Sequence, residues 1–472
     1  MSSINLENLT MPESTSYVCL FRNCYELESV KLPKNATIIH SLIFDGCYNL
    51  KNVDIPDTVT TIGFCAFQDC GIESITLPSS LTTIGEEAFG KCTNLESITI
   101  PDSVTIIDEG AFKGCTKLKN ITLSSSLTTI SKEAFCNCTE LESIIIPDSV
   151  ISIDEAAFKG CTKLKNITLP SSLTTISKEA FCNCTELESI IIPDSVISID
   201  EAAFKGCTKL KNITLPSSLT TISKEAFCNC TELESIIIPD SVISIDEAAF
   251  KGCTKLKNII LPSLLTAIGS EAFSNCISLE SINIPDGVIS IRGRAFENCT
   301  SLKSIKIPDS VKNIDSYAFD GCKKLKDITI PNSVTLIDMC VFENCESLER
   351  IKLPERITEI CYGAFEGCRI LKNITIPDAV KSIGSYAFSE CKNLENLEIP
   401  YGVTDIGFMA FYNCKNLKNI TIPTSLNYIN SYAFSQCESL ETVTIISDCT
   451  SKIIDVRELD LDTMNQWIFL YF

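Results

Sequence analysis

The sequence predicts a tandem-repeat solenoid of parallel strands, and three observations predict it: a fixed period, a fixed set of apolar slots within that period, and a composition that falls on the same register. Nineteen copies of F-x-x-C run from Phe21/Cys24 to Phe434/Cys437, and the cysteines recur every 23 residues except for one 22-residue step from Cys70 to Cys92. A constant period of this length is the signature of stacked units, each too small to bury its own faces. Nineteen of the 23 Phe and nineteen of the 27 Cys lie on the register. The 472 residues therefore hold no separate non-repetitive domain.

Within one unit, CTKLKNITLPSSLTTISKEAFCNC, the apolar slots are Leu164, Ile167, Leu169, Leu173, Ile176, Ala180, Phe181 and Cys184. The segment L-x-x-I-x-I/L-P ends in period-two alternation, which predicts a short strand stopped by proline. Pro followed by Asp or Ser suits a turn. Ser177-Lys-Glu-Ala-Phe, or Asp154-Glu-Ala-Ala-Phe in the alternate unit, places a capping residue ahead of a short apolar segment and predicts one helical turn. Each unit reads as strand, turn, extended arm, short helical turn and return. Neighbouring units supply the ladder hydrogen bonds and the second buried face.

The units pair into a 46-residue super-repeat. Residues 159 to 204 are identical to 205 to 250, and 113 to 158 differ only in Ser124, where the others have Pro170 and Pro216. The half-units differ in charge: Lys163 and Lys165 precede Glu186 and Glu188, which precede Lys209 and Lys211. One turn apart, these form alternating cross-strand pairs that fix register.

The run from Leu95 through Cys115, L-x-x-I-x-I-P-x-x-V-x-x-I-x-x-x-A-F-x-x-C, resembles the repeat of BspA-like leucine-rich repeat proteins, and the resemblance covers roughly residues 6 to 446. It implies a right-handed curved superhelix with parallel strands on the concave face. Members of that family in oral bacteria and parasitic protists are often surface antigens or adhesins that bind extracellular-matrix proteins or other cells. The family's binding residues are not one fixed motif, so the resemblance carries over no site residue. Three segments are expected: a degenerate first repeat and N-terminal cap at 1–24, the solenoid at 25–446, and a C-terminal cap or tail at 447–472.

Composition narrows the function. Apolar residues make up 45% and charged residues 21%, which excludes a disordered chain. A formal charge of -21 argues against nucleic acid and against anionic membrane surfaces. No apolar stretch reaches the ~20 residues a spanning helix needs, so no membrane insertion is expected. The first 25 residues carry no basic segment followed by an apolar run, so no secretory signal is read there and the sequence alone points to the cytoplasm. The family resemblance points to the cell surface or secretion. Eleven N-x-[ST] sequons occur, among them Asn166 and Asn183, which are copies of the repeated phrases NIT and NCT and do not argue for secretion.

Chemistry is sparse. His40 is the only histidine, in the slot that Asp108 or Ser177 fills elsewhere, and a surface role is expected for it rather than a catalytic one. No phosphate-binding, dinucleotide-binding or H-E-x-x-H motif occurs, so no catalytic, cofactor-binding or metal-binding residue is assigned. The cysteine ladder reads as reduced core packing beside the Phe of each unit. Disulfides between turns and a metal site are the alternatives. Cys136, Cys182 and Cys228 form C-N-C pairs with Cys138, Cys184 and Cys230, without zinc-type C-x-x-C spacing.

The residues flanking the middle Ile of each strand point outward. In the uniform block they are monotonous, with Asn166 and Thr168, Ser189 and Ile191, Asn212 and Thr214. Further along they diversify to Asn283, Lys306, Asp327, Arg350, Lys352 and Glu398, which are the candidate partner-binding residues. Arg350, Lys352 and Lys306 form a basic cluster on an acidic protein, suited to an acidic or polar protein surface. The alternative is a solvated face with no ligand. The function expected is non-enzymatic: an adhesin-like binder of other proteins, extracellular-matrix or cell-surface proteins included, or else an intracellular scaffold. Oligomeric state is left open.

Overall fold

The computed structural model describes residues 2–8, 19–430, 432–446 and 451–455. Much of the two expected terminal segments, 1–24 and 447–472, lies outside the described residues. The chain divides into two compact units, Met1–Ser241 and Val242–Phe472, built on the same turn. A typical turn lays down a three-residue strand, bends at the proline, lays down a two-residue strand, and returns through the corner that carries A-F-x-x-C.

In the first unit, Ser97–Thr99 pairs in parallel with Asn120–Thr122, Ser143–Ile145 with Asn166–Thr168, and Ser189–Ile191 with Asn212–Thr214. This ladder therefore forms in pairs and repeats with the 46-residue super-repeat. The two-residue strands run on without interruption through Thr129–Ile130, Ser152–Ile153, Thr175–Ile176 and Ser198–Ile199. In the second unit, Ser281–Asn283 pairs with Ser304–Lys306, and Asp327–Thr329 with Arg350–Lys352. Asn396–Glu398, Asn419–Pro423 and Thr442–Ile446 follow in parallel, and Ser451–Asp455 pairs antiparallel with the last of them.

The apolar slots face inward in every turn, as with Leu118, Ile121, Leu123, Leu127, Ile130, Ala134, Phe135 and Cys138. Proline ends the first strand because it has no N–H for the ladder, and its carbonyl accepts the Val104 N–H at 3.0 Å to close the bend. The Phe rings form a continuous stack in each unit. Centroids lie 5.7 Å apart for Phe21–Phe44 and 5.5 Å for Phe158–Phe181 in the first, and 5.5 Å for Phe250–Phe273 and 5.3 Å for Phe411–Phe434 in the second. Beside the rings, each ladder thiol donates to the carbonyl of the Phe one turn back: Cys115 Sγ to Phe89 O at 3.1 Å, Cys184 Sγ to Phe158 O at 3.2 Å, Cys391 Sγ to Phe365 O at 3.2 Å.

The corner is not the helical turn expected from its capping signature, and no helix occurs among the described residues. Two residues of each corner take positive φ, the one before Ala and the one before Cys, as in Glu133 (52°) and Asn137 (60°). The backbone donors consequently split into two sets. Ala134 and Cys138 N–H bond three residues back, to Ser131 and Phe135, whereas Glu133, Phe135 and Asn137 N–H reach forward to Glu155, Ala157 and Lys159 of the next turn. A helix would keep all of these donors within one segment. The solenoid spends half of them on its neighbour.

Glycine is required at two kinds of place. Gly160 (φ 73°) and Gly206 (φ 73°) take the left-handed slot before Cys, and a Cβ there would lie 2.3 Å and 2.2 Å from Oδ1 of Asn137 and Asn183 one turn back. The Asn/Gly alternation of the super-repeat is thus a packing rule: the amide of one turn fills the space glycine leaves in the next. Gly71 closes the 22-residue step, where a Cβ would sit 2.2 Å from the Tyr48 carbonyl oxygen, and Ile72 takes the buried Leu slot one residue early. His40 is buried, at 6% exposure, in place of the surface position expected for it. Its register neighbour one turn on is Gly63, which presents no side chain to hold the imidazole outward.

Two outcomes follow. Gly160→Ala should lower unfolding free energy by about 1–3 kcal/mol, from strain at positive φ and the clash with Asn137. Gly293→Ala, whose nearest obstacle is the Ser316 carbonyl oxygen at 3.3 Å, should cost under about 1 kcal/mol; urea denaturation of the full chain compares them. Burial pushes the thiols of Cys92 and Cys276 up to about 12, from about 9 when unfolded. Their protonated state stabilises the fold fully below pH 9, and that contribution is lost as pH rises from 9 towards 12. A thermal series across this range should show Tm falling, and Cys92→Ser and Cys276→Ser should flatten the fall.

Candidate functional site

In most three-residue strands both flanks are exposed while the middle residue is inside, so the strand face offers two outward columns. The six candidate residues all lie on this face of the second unit. Asn283, Lys306, Lys352 and Glu398 end their strands, and Asp327 and Arg350 begin theirs. Register sets Asn283 beside Lys306, Asp327 beside Arg350, and Thr329 beside Lys352. Lys306 and Lys352 share a column two turns apart, roughly 10 Å at ~4.8 Å per strand.

The basic cluster is only partly free. Arg350 Nε donates to Asp327 Oδ1 at 2.7 Å, and the guanidinium holds that carboxyl below its usual range. Lys306 and Lys352 make no ion pair among the described residues. Beyond them the face becomes an amide ladder: Asn419 Nδ2 donates to Asn396 Oδ1 at 2.7 Å, and Thr442 Oγ1 to Asn419 Oδ1 at 2.5 Å. Asn373, Thr375, Asn396, Glu398, Asn419 and Thr421 line a shallow depression of about 440 Å³.

The sequence sets Ile191 outward but gives no reason to read a surface there, and a second feature escapes it altogether. The block read as uniform scaffold exposes Ile145, Ile191 and Ile237 at 76%, 75% and 83%. The signal was the run S-I-I-I-P, where period two turns the second of three isoleucines outward. In the second unit, Tyr362, Tyr386, Phe408 and Tyr432 form an aromatic row along the corners, with centroids 5.5 to 6.0 Å apart. Tyr386 and Tyr432 take the slot that Glu179 or Ala156 fills just before A-F, and Tyr362 and Phe408 the slot of Lys178 or Glu155 one residue earlier. Beside them, Glu366 is pushed up to about 7, first by burial and then by Glu343 and Glu390.

The sequence model described as "BspA type Leucine rich repeat region (6 copies)" matches overlapping windows that run from residues 15–142 to 337–455. The chain belongs to the BspA-type leucine-rich repeat family. Among solved structures, it is similar to a leucine-rich repeat protein from Bacteroides ovatus, at 25% identity over 94% of this chain and 92% of that one with a TM-score of 0.39. It is also similar to a leucine-rich cell surface protein from Faecalibacterium prausnitzii (24%, covering 95% and 88%, TM-score 0.35) and to the pneumococcal vaccine antigen PcpA (25%, covering 76% and 74%, TM-score 0.31). No curated protein matches the sequence. Among the described residues, no group of three His, Cys, Asp or Glu could hold a metal ion.

A raised carboxyl gives a directional test of the corner electrostatics. Because the Glu366 pKa is raised on folding, its contribution is fully present below pH 4.5 and is lost as pH rises through 7. Glu366→Gln should therefore raise Tm at pH 8 and leave it nearly unchanged at pH 4. Calorimetry at the two pH values decides it, and an equal effect at both would contradict burial as the cause.

Proposed function

We propose that the chain is a non-enzymatic binding protein whose diversified strand face, from Asn283 to Glu398, takes a protein partner. One observation carries the reading. Between these positions the inward slots keep their residue types while the outward ones change from turn to turn, so the scaffold is held constant and only the solvent-facing chemistry varies. Exposed positions that vary on a rigid framework are where recognition is built. Lys306 and Lys352 present two unpaired cations on one column of an acidic chain, which suits an acidic or polar protein surface. Arg350, held by Asp327, adds a fixed guanidinium at the start of the strand that Lys352 ends.

Family membership supports an adhesin or surface-antigen role, with extracellular-matrix or cell-surface proteins as partners. An intracellular scaffold is the second reading, favoured by the many protonated thiols donating within the core. An impermeant amine label applied to intact cells separates the two: labelling of the chain supports surface display, and its exclusion supports the scaffold.

The site itself is tested by biolayer interferometry of the full chain on immobilised matrix proteins and on cell lysate proteins captured in parallel. The triple variant Lys306→Glu, Arg350→Glu, Lys352→Glu should lose binding by about tenfold or more. Its stability should change by under about 1 kcal/mol, since all three side chains are exposed. Undiminished binding by the folded variant would remove this face from the function.

A further inference from the structure

We propose that the duplicated block of the first unit is a self-association surface, joining two copies of the chain face to face with their turns running in opposite directions. This goes beyond the binding face in the second unit and uses none of its residues. The observation is an alternation of two properties in one rhythm. On the outward end of successive strands stand Thr122, Ile145, Thr168, Ile191, Thr214 and Ile237. Just before the same strands stand Lys119, Glu142, Lys165, Glu188, Lys211 and Glu234. Every Thr turn is a Lys turn and every Ile turn is a Glu turn.

That coupling makes the face complementary to itself under one operation. A two-fold axis lying between the facing sheets, along the strand direction, keeps each column opposite its own column and reverses the order of turns. When the axis passes between the third and fourth turns, Thr168 meets Ile191 of the other copy, Ile145 meets Thr214, and Thr122 meets Ile237. The same axis sets Lys165 against Glu188, Glu142 against Lys211, and Lys119 against Glu234. All six turns are satisfied at once, as an isologous interface requires. An axis through a turn would put Ile on Ile and Glu on Glu.

The surface is built to receive this. The isoleucines stand 75 to 83% exposed on a soluble sheet face, and a row of exposed β-branched apolar residues marks an interface. Beside Thr122 and Ile145 lies a hollow of about 430 Å³, lined by Asn120, Ser143 and Pro147 among others, into which an isoleucine ridge can seat. Two lysines of the column pair loosely within the chain, Lys119 with Glu96 at 3.9 Å and Lys211 with Glu188 at 3.8 Å, and these side chains stay about half exposed or more, so they can also face a charge on the other copy. Six turns at ~4.8 Å and about six residues of width at ~3.3 Å give a flat footprint of roughly 600 Å². A stable dimer uses about 800 Å² of accessible surface per partner.

Sedimentation velocity on the full chain tests it. The expected species is a dimer of twice 51.8 kDa. Ile145→Thr, Ile191→Thr and Ile237→Thr together should raise the dimer Kd at least about tenfold, and because Thr is native at the adjacent turns the variant keeps its fold, checked by circular dichroism. The charge arm uses two chains, one with Glu142, Glu188 and Glu234 changed to Lys, the other with Lys119, Lys165 and Lys211 changed to Glu. Each alone should be monomeric, and their mixture should form a heterodimer, which loss of folding in either could not produce. A monomeric wild type at about 50 µM, or a dimer unaffected by the isoleucine changes, or a mixture that stays monomeric, would overturn the proposal.

Discussion

Everything in this fold depends on like stacking on like at the spacing of one turn. A 23-residue period returns the same chemical group to the same place, so any group that can bond to its own copy, or to its neighbour's backbone, does so in turn after turn. Phe stacks on Phe because offset parallel rings at 5 to 6 Å are attractive. The thiol reaches the Phe carbonyl one turn back, a weak bond made strong in number and in the absence of water. Where identical groups would repel, the sequence breaks the identity. In the duplicated block Lys and Glu alternate, and so do Asn and Gly, and the unit of exact duplication there is 46 residues instead of 23.

The 46-residue unit links local strain to surface chemistry. The corner needs a left-handed residue before Cys, which Asn and Gly tolerate best. In the duplicated block the Asn137 side chain fills the space that a Cβ at Gly160 would need, 2.3 Å from its Oδ1, whereas Asn275 and Asn298 take the same slot in adjacent turns of the second unit. Within the block, alternation relieves the crowding. Once one slot alternates, duplication copies the pair, and the charges and the exposed isoleucines are carried along in phase. A constraint inside the corner thereby writes a rhythm on the outside of the strand face.

Much of the fold was legible in the sequence. The period, the inward slots, the proline bend and the outward flanks of Ile167 and Ile305 all follow from spacing and polarity. The corner was misread for a definite reason. Ser177-Lys-Glu-Ala-Phe carries a true capping signature, but helix and solenoid corner share their first turn, and the deciding feature is the sign of φ at Glu179 and Asn183. Glutamate does not advertise positive φ; only the Asn or Gly that precedes most of the ladder cysteines hints at it. The candidate binding face was legible as a set of positions, whereas the pairing of Arg350 with Asp327 required knowing that those two strands are neighbours in register. Ile191 is visible in the sequence as an outward residue, but the monotony of the block carries no sign of a surface.

Uniformity and diversity then do different work on one scaffold. A face that repeats can recognise only something with the same repeat, and the most available object with a matching 46-residue rhythm is another copy of the chain. A face that varies can recognise a partner with no repeat at all. If the first unit joins two chains, each assembly carries two diversified faces, and a partner presented in several copies is held by the effective concentration of the second contact as well as by the strength of the first. Weak single-site binding is then sufficient, which agrees with a candidate surface of exposed lysines and amides beside a shallow depression of about 440 Å³.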